Sequence, residues 1–208
     1  MCGLTGAEDT YEVLLSLAEC LEKQGIKTSV ISKYCHIKML GNQYHSLNHI
    51  IGFKSFTEAE KIMALNFDVR SLEKSEMPAL ILMEAPDTVF RYNNIAPHGF
   101  GIQTYMLCQA VMPDYLICCV PCDLANEKVI AEINNDLSTR LGRDIDAVHV
   151  SNIIIDSADI LQTKEISHVH VDISKVQEQI NKQKNSSTIP LFDAITDGVD
   201  AISLLLCS

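Results

Sequence analysis

The chain opens with the stretch that decides its fold, Met1-Cys2-Gly3-Leu4-Thr5-Gly6-Ala7-Glu8-Asp9-Thr10. Apolar residues at helical spacing follow directly, at Leu14, Leu17 and Leu21, and predict an amphipathic helix over about residues 8–24. A glycine-bearing loop that leads straight into a helix is the layout of a phosphate-binding loop, because backbone N–H groups and the positive helix end there surround an anion. The residues predicted to bind a nucleotide or another anion through this loop are Gly3, Leu4, Thr5, Gly6, Ala7 and Thr10.

The loop has lost the cation that a phosphate-binding loop needs. Gly3 to Thr10 matches the spacing of G-x-x-x-x-G-K-[ST], but Glu8 and Asp9 stand where the pattern has glycine and lysine. Two carboxylates would repel a triphosphate. Thr5 and Glu8 also have capping-box spacing, which favours Glu8 as a helix-capping carboxylate. The sequence therefore predicts a degenerate P-loop.

Strand and helix patterns alternate along the chain. Strands are predicted at 27–32, 79–83 and 115–120, and the last two are continuous apolar runs, as in strands buried on both faces. Helices are predicted to begin near residues 57, 101 and 125. This alternation indicates a three-layer α/β fold with a mainly parallel sheet and helices on both faces, similar to P-loop NTPases.

Two further segments have weaker patterns. Residues 33–55 are expected to be irregular. A last helix is expected from about Pro190, with Ile195, Val199, Ile202 and Leu206 on one stripe.

The length and composition favour one domain over residues 1–208, since 208 residues with 47% hydrophobic content can bury a sizeable core. A phosphate loop normally follows a strand, yet only Met1 and Cys2 precede this one. We therefore expect that the first strand is truncated, or that a partner or a region upstream of Met1 completes it.

The formal net charge of −11 disfavours nucleic acids and anionic membranes as partners, because both require a basic face. It suits a partner with basic segments. No apolar run approaches the ~20 residues that span a bilayer, and no leader sequence is recognisable, so a cytoplasmic protein is expected.

Glu84 directly follows the predicted strand 79–83. A P-loop protein carries a second acidic residue at this position to order Mg²⁺ and a water molecule. With the hydroxyl of Thr10 and the loop backbone, Glu84 completes the best constellation for a nucleotide with Mg²⁺. The alternative is a solvated carboxylate at a strand end.

A Cys-x-x-Cys pair, Cys119 and Cys122, lies at the carboxyl end of the predicted strand 115–120, where α/β sheets bind ligands. Such a pair is typical of half a zinc or iron–sulfur site, or of a redox pair. A structural zinc site needs about four ligands, and the candidates for the others are Cys35, His45, His36 and Cys2. The alternative is that the eight scattered cysteines are mostly buried, reduced thiols.

Short stretches in a fixed order carry a resemblance that covers about the first three quarters of the chain. They include Gly25-Ile26-Lys27, Tyr92-Asn93-Asn94, Gln109-Ala110-Val111-Met112-Pro113-Asp114 and Arg140-Leu141-Gly142. Together they resemble the C-terminal half of a family of bacterial peptide maturation system proteins, which are encoded beside radical-SAM enzymes and ribosomally made precursor peptides. The chain departs from that family in its loop and in Pro86-Asp87-Thr88, where many members have Pro-Gly-Gly.

The resemblance implies a P-loop-like accessory subunit, alone or in a homo- or hetero-oligomer, that binds a partner maturation protein or a precursor peptide. The residues leave two other hypotheses open. One is a nucleotide-dependent enzyme that uses the loop, Thr10 and Glu84. The other is a metal-binding or redox protein that works through Cys119 and Cys122.

Overall fold

The computed structural model describes residues 1–90, 100–184 and 186–198. Its strands are β1 (Cys2–Gly3), β2 (Thr28–Ser32), β3 (Tyr44–Ser46), β4 (Leu80–Met83), β5 (Ile117–Pro121), β6 (Ala147–Ser151), β7 (Ile153–Ile155), β8 (His168–His170) and β9 (Leu191–Phe192). Its helices are α1 (Thr10–Lys23), α2 (Asn48–Ile51), α3 (Glu58–Glu76), α4 (Ile102–Ala110), α5 (Glu127–Leu141), α6 (Ser157–Thr163) and α7 (Ile173–Gln183).

The central sheet is parallel. Its two parts have the strand orders β3-β2-β4 and β1-β5-β6-β9. Met1 joins them: its amino group donates to the Met83 carbonyl at 2.6 Å, and its carbonyl accepts from the Ala85 N–H at 2.7 Å. The strands thus follow one another as β3-β2-β4-β1-β5-β6-β9. A separate antiparallel pair is formed by β7 and β8.

Helices cover both faces of this sheet, because successive side chains of a strand point to opposite sides. Val30 packs with Leu14 and Leu17 of α1 on one face. The next residue, Ile31, packs against α2, α3 and α4 on the other face. A third cluster places α5 and α7 against β5 and β6. The predicted three-layer α/β fold with a mainly parallel sheet is therefore confirmed.

Several element boundaries differ from the sequence-based expectations. The first helix begins at Thr10 rather than near residue 8. The helix predicted near residue 57 begins at Glu58, and its N-cap residue Thr57 forms a capping box with Glu60. Residues 33–55 are not irregular throughout: they form a 3₁₀ helix (Cys35–Leu40), β3 and α2. These elements are three to six residues long, which is too short for periodicity to reveal them.

The prediction of a helix from Pro190 is wrong for the residues that the structure describes, which end at Gly198. Leu191 and Phe192 form β9, which pairs in parallel with Val148 and His149 of β6. One π-helical turn follows at Ala194–Gly198. The open edge of β6 decides this outcome, because pairing there satisfies backbone groups that a helix would satisfy internally. Val199, Ile202 and Leu206 lie outside the described residues.

Among residues 1–90, 100–184 and 186–198, no helix combines the length and apolar character that crossing a bilayer requires.

Candidate functional site

The N-terminal loop lies at the carboxyl edge of the sheet, in the middle of the strand order. β1 pairs in parallel with Cys118 and Cys119 of β5, and residues 4–9 then turn over that edge into α1. A cleft of about 530 Å³ opens beside the loop. Among the residues predicted for the anion site, those that line the cleft are Gly3, Gly6, Ala7, Thr10 and Glu84.

Two residues of the predicted set do not line the cleft. Leu4 is buried in the core beside β5 and α5. Thr5 is buried as well, and its hydroxyl oxygen lies 2.8 Å from Nε2 of His168 on β8. These two residues anchor the loop to the rest of the fold.

The loop encloses the carboxylate of its own Glu8. Glu8 Oε1 accepts from the Thr5 N–H at 2.6 Å and from the Thr5 hydroxyl at 2.7 Å. Glu8 Oε2 accepts from the Gly6 N–H at 2.7 Å. Successive backbone N–H groups that converge in this way form an anion-binding nest. In this protein the anion in the nest is a side chain.

Gly3 makes room for that carboxylate. A Cβ atom at residue 3 would lie 2.9 Å from Glu8 Oε2 and 2.9 Å from Thr10 Oγ1, closer than real Cβ contacts. Gly6 has φ +94°, a left-handed conformation that favours glycine. The predicted contact of Thr5 with Glu8 is thus formed, but it closes the loop before α1. The N-cap of α1 is Asp9, which makes no side-chain cap bond.

Asp9, at the edge of the cleft, pairs with the buried ring of His149. Its Oδ1 lies 2.8 Å from Nε2 of His149 and also accepts from the Ser151 hydroxyl. Nδ1 of His149 accepts from the Ala194 N–H at 3.0 Å, so Nε2 carries the proton that is donated to Asp9. Burial raises the pKa of Asp9, but the hydrogen bonds from His149 and Ser151 outweigh burial and hold it below its ordinary value.

Glu84 is not a solvated strand-end carboxylate. Glu84 is only 2% exposed. Its Oε2 accepts a hydrogen bond from the Ser32 hydroxyl, and its Oε1 lies 3.4 Å from Lys33 Nζ. Sequence reasoning missed Lys33 as a site residue. The signal was its position directly after the strand 27–32, because the carboxyl ends of parallel strands meet at one edge of the sheet. The cleft therefore has a cation, but it comes from the end of β2 and is paired with Glu84.

The lining of the cleft carries more negative than positive charge. One lysine lines the cleft, Lys33, together with five carboxylates, those of Glu8, Asp9, Glu12, Glu84 and Asp87. Asp87 also accepts the N–H groups of Gln103 and Thr104 at the start of α4. Aromatic rings form one wall: Tyr11 and Tyr34 meet edge to face at 5.1 Å between centroids, with the His36 ring beside both. Carboxylates beside aromatic faces suit a cationic ligand.

The residues predicted to bind a metal are dispersed. Cys119 is fully buried, and burial holds its pKa well above the usual range. Cys122 Sγ faces the Lys175 carbonyl at 3.8 Å. Cys35 is exposed beside Asn48, and His45 Nε2 lies 2.8 Å from Glu76 Oε1. Within residues 1–90, 100–184 and 186–198, no group of three or more His, Cys, Asp or Glu side chains is arranged to hold a metal ion.

Comparison with a solved structure of a DUF1611 family protein supports the fold assignment. A DUF1611 family protein from Anabaena variabilis superposes with a TM-score of 0.66 at 12% sequence identity, over 99% of this chain. This chain spans 56% of the length of that protein. A GTPase from Pyrococcus abyssi in its apo form has a TM-score of 0.48 at 12% identity, over 99% of this chain and 94% of its own. No family model and no curated protein matches the sequence.

Proposed function

We propose that this protein is an accessory subunit of a ribosomal peptide maturation system, and that it binds a basic segment of a partner protein or precursor peptide in the cleft beside the N-terminal loop. The observation that carries the proposal is the position of the Glu8 carboxylate. It takes up the Thr5 and Gly6 N–H groups that a phosphate would need. The loop thus has the layout of a phosphate-binding loop, but the Glu8 carboxylate already fills its anion site.

The charges at the cleft support a basic ligand. Five carboxylates and one lysine line the cleft, and the whole chain carries a formal net charge of −11. An excess of one sign of charge in a cleft attracts ligands of the opposite sign and speeds their association. The link to peptide maturation rests on the resemblance given by the sequence.

Binding of a basic peptide tests this proposal. We expect a fluorescein-labelled Lys- and Arg-rich peptide to bind, as measured by fluorescence anisotropy, with an affinity that falls as salt rises. Glu12→Gln removes an exposed carboxylate of the cleft and should weaken binding about threefold. Glu132→Gln, an exposed position on α5 outside the cleft, is the matched control and should leave affinity unchanged. Equal affinities of the two variants would contradict the cleft as the binding site.

Co-purification tests the biological assignment. The tagged protein should retain a maturation enzyme or a precursor peptide when the neighbouring genes are expressed with it. A precursor peptide whose basic residues are replaced by glutamine should be lost. If the neutralised peptide is still retained, the assignment to a maturation system stands, but recognition through basic residues is contradicted.

Nucleotide binding is the second candidate function, and Lys33 favours it. Lys33 lies in the same cleft as Thr10 and Glu84, so a cation, a hydroxyl and a carboxylate are all present. A nucleotide would have to displace the Glu8 carboxylate from the loop. Stabilisation by several °C with millimolar ATP or GTP and Mg²⁺ would favour this candidate, and unchanged melting would favour the accessory role.

A further inference from the structure

Strand β8 pairs with β7 along one of its two edges. Val171 N–H, just after β8, donates to the Asn152 carbonyl at 2.8 Å, and an equivalent bond of 3.0 Å closes the other end of the pair. In an antiparallel pair, residues that exchange such bonds alternate with residues whose backbone groups point away from the partner strand. His168 and His170 therefore direct their N–H and carbonyl groups away from β7.

The outer edges of these two strands differ. On β7, the outward N–H of Ile155 donates to the Asp123 carboxylate at 3.3 Å. On β8, the N–H groups of His168 and His170 have no hydrogen-bond partner in the described part of the chain. Proline and lysine commonly protect an exposed edge, and neither occurs in β8. The outer edge of β8 can therefore accept a further strand.

Strand β8 also borders the acidic cleft. Nε2 of His168 lies 2.8 Å from the hydroxyl oxygen of Thr5 in the N-terminal loop, and His170 lines the cleft. These two histidines project from the same face of β8, because successive side chains of a strand alternate. The opposite face carries Val169, which is 48% exposed. A strand added to β8 would thus place one set of alternate side chains toward the cleft and the other set beside Val169.

We propose that the basic segment of the partner binds as an extended strand on the outer edge of β8, with basic side chains alternating with apolar, β-branched ones. The inference rests on the function proposed above and names the conformation and residue pattern of that ligand. Five carboxylates and one lysine line the cleft, so the side chains directed there should be basic. Those beside Val169 should be apolar, because apolar and β-branched side chains pair favourably across neighbouring strands. Main-chain hydrogen bonds to β8 would add affinity.

Peptides of one composition test the alternating pattern on the full chain. The probe is a fluorescein-labelled, amidated peptide with the core Arg-Val-Arg-Val-Arg-Val, and the control has the core Arg-Arg-Arg-Val-Val-Val. In fluorescence anisotropy we expect the probe to bind at least about fivefold more tightly. Strand pairing uses every second N–H of the peptide, so N-methylation of the arginines and N-methylation of the valines should weaken binding unequally. Equal effects of the two methylation patterns would overturn the proposal.

A proline in β8 removes a backbone donor from the protein itself. His170→Pro deletes the outward N–H but no bond to β7, so β8 should persist. The matched reference is His170→Ala, which lacks the same imidazole, and the proline variant should bind the probe at least about fivefold more weakly. Equal affinity of these two variants, with Glu12→Gln still weakening binding, would overturn strand addition and leave the proposed function standing. Failure of every basic peptide to bind would contradict both.

Amide exchange followed by NMR gives an independent readout. The N–H groups of His168 and His170 should exchange rapidly in the free protein and slowly with the probe bound. Slow exchange in the free protein would overturn the proposal, because the edge of β8 would then already be paired. A dimer in sedimentation velocity that protects these amides would also overturn it, because a second copy of the chain would be the occupant.

Discussion

Removal of the Glu8 carboxylate should destabilise the protein and vacate its anion nest. Glu8→Ala deletes three hydrogen bonds of 2.6–2.7 Å to a buried, charged acceptor. Hydrogen bonds to charged groups contribute about 1.5–3 kcal/mol each, but Gly6 lines the open cleft, so its freed N–H regains water. We therefore expect a loss of about 3 kcal/mol in the free energy of unfolding. In a chain of this length that corresponds to a fall of about 6–12 °C in Tm.

Inorganic phosphate should partly restore the stability of this variant. Once the carboxylate is gone, the Thr5 and Gly6 N–H groups point at a vacant site beside the start of α1. At a phosphate concentration ten times its Kd, the gain would be about 1.4 kcal/mol. The native protein should gain nothing, because Glu8 fills the nest. Sodium chloride at equal ionic strength controls for screening.

The assay is urea unfolding followed by circular dichroism, with and without phosphate. Glu132→Ala removes an exposed carboxylate from α5 and should change stability by less than about 0.5 kcal/mol. The reasoning is refuted if Glu8→Ala behaves like Glu132→Ala. It is also refuted if phosphate stabilises the native protein as much as the variant.

Three further predictions concern groups around the cleft. Lys33→Met removes the cation that is paired with the buried Glu84 carboxylate, so urea unfolding should show a loss of about 2 kcal/mol. Lys54→Met, at an exposed position, should show almost none. The pKa of Asp9 in the folded protein lies below its ordinary value of 3.8. The stability that this carboxylate contributes is therefore complete above pH 3.8 and is lost as the pH falls further. In thermal melts, Asp9→Asn should lose less stability in acid than the native protein does. Iodoacetamide should label exposed Cys35 in the native protein while Cys119 stays unmodified in peptide mass spectra, and rapid labelling of Cys119 would contradict its burial.

His168 adds a pH dependence near neutrality. Burial lowers its pKa from the ordinary 6.5, so the unfolded chain binds a proton more readily than the folded one. Stability should therefore fall as the pH drops through 6.5, and thermal melts between pH 7.5 and 5 measure this. His168→Gln should flatten the profile in that window. An unchanged slope would contradict this source of the dependence.

The sequence by itself determined the layer architecture. The helical spacing of Leu14, Leu17 and Leu21 and the apolar runs 79–83 and 115–120 predict which elements form, because periodicity and burial on one or both faces are local properties. The hydrophobic pattern did not predict β3 and β9, because these strands are very short. There the open edge of an existing strand selects the conformation, and that edge belongs to a distant part of the chain.

The tertiary structure alone decided what the loop holds and what its neighbours are. The sequence placed Glu8 three residues after Thr5 and predicted their contact, but not that the carboxylate would fill the anion nest. The pairing of Glu84 with Lys33 joins residues 51 positions apart, and that of Asp9 with His149 joins residues 140 apart. Charge compensation in a buried site depends on distances that the order of strands in the sheet sets. A one-dimensional pattern does not contain those distances.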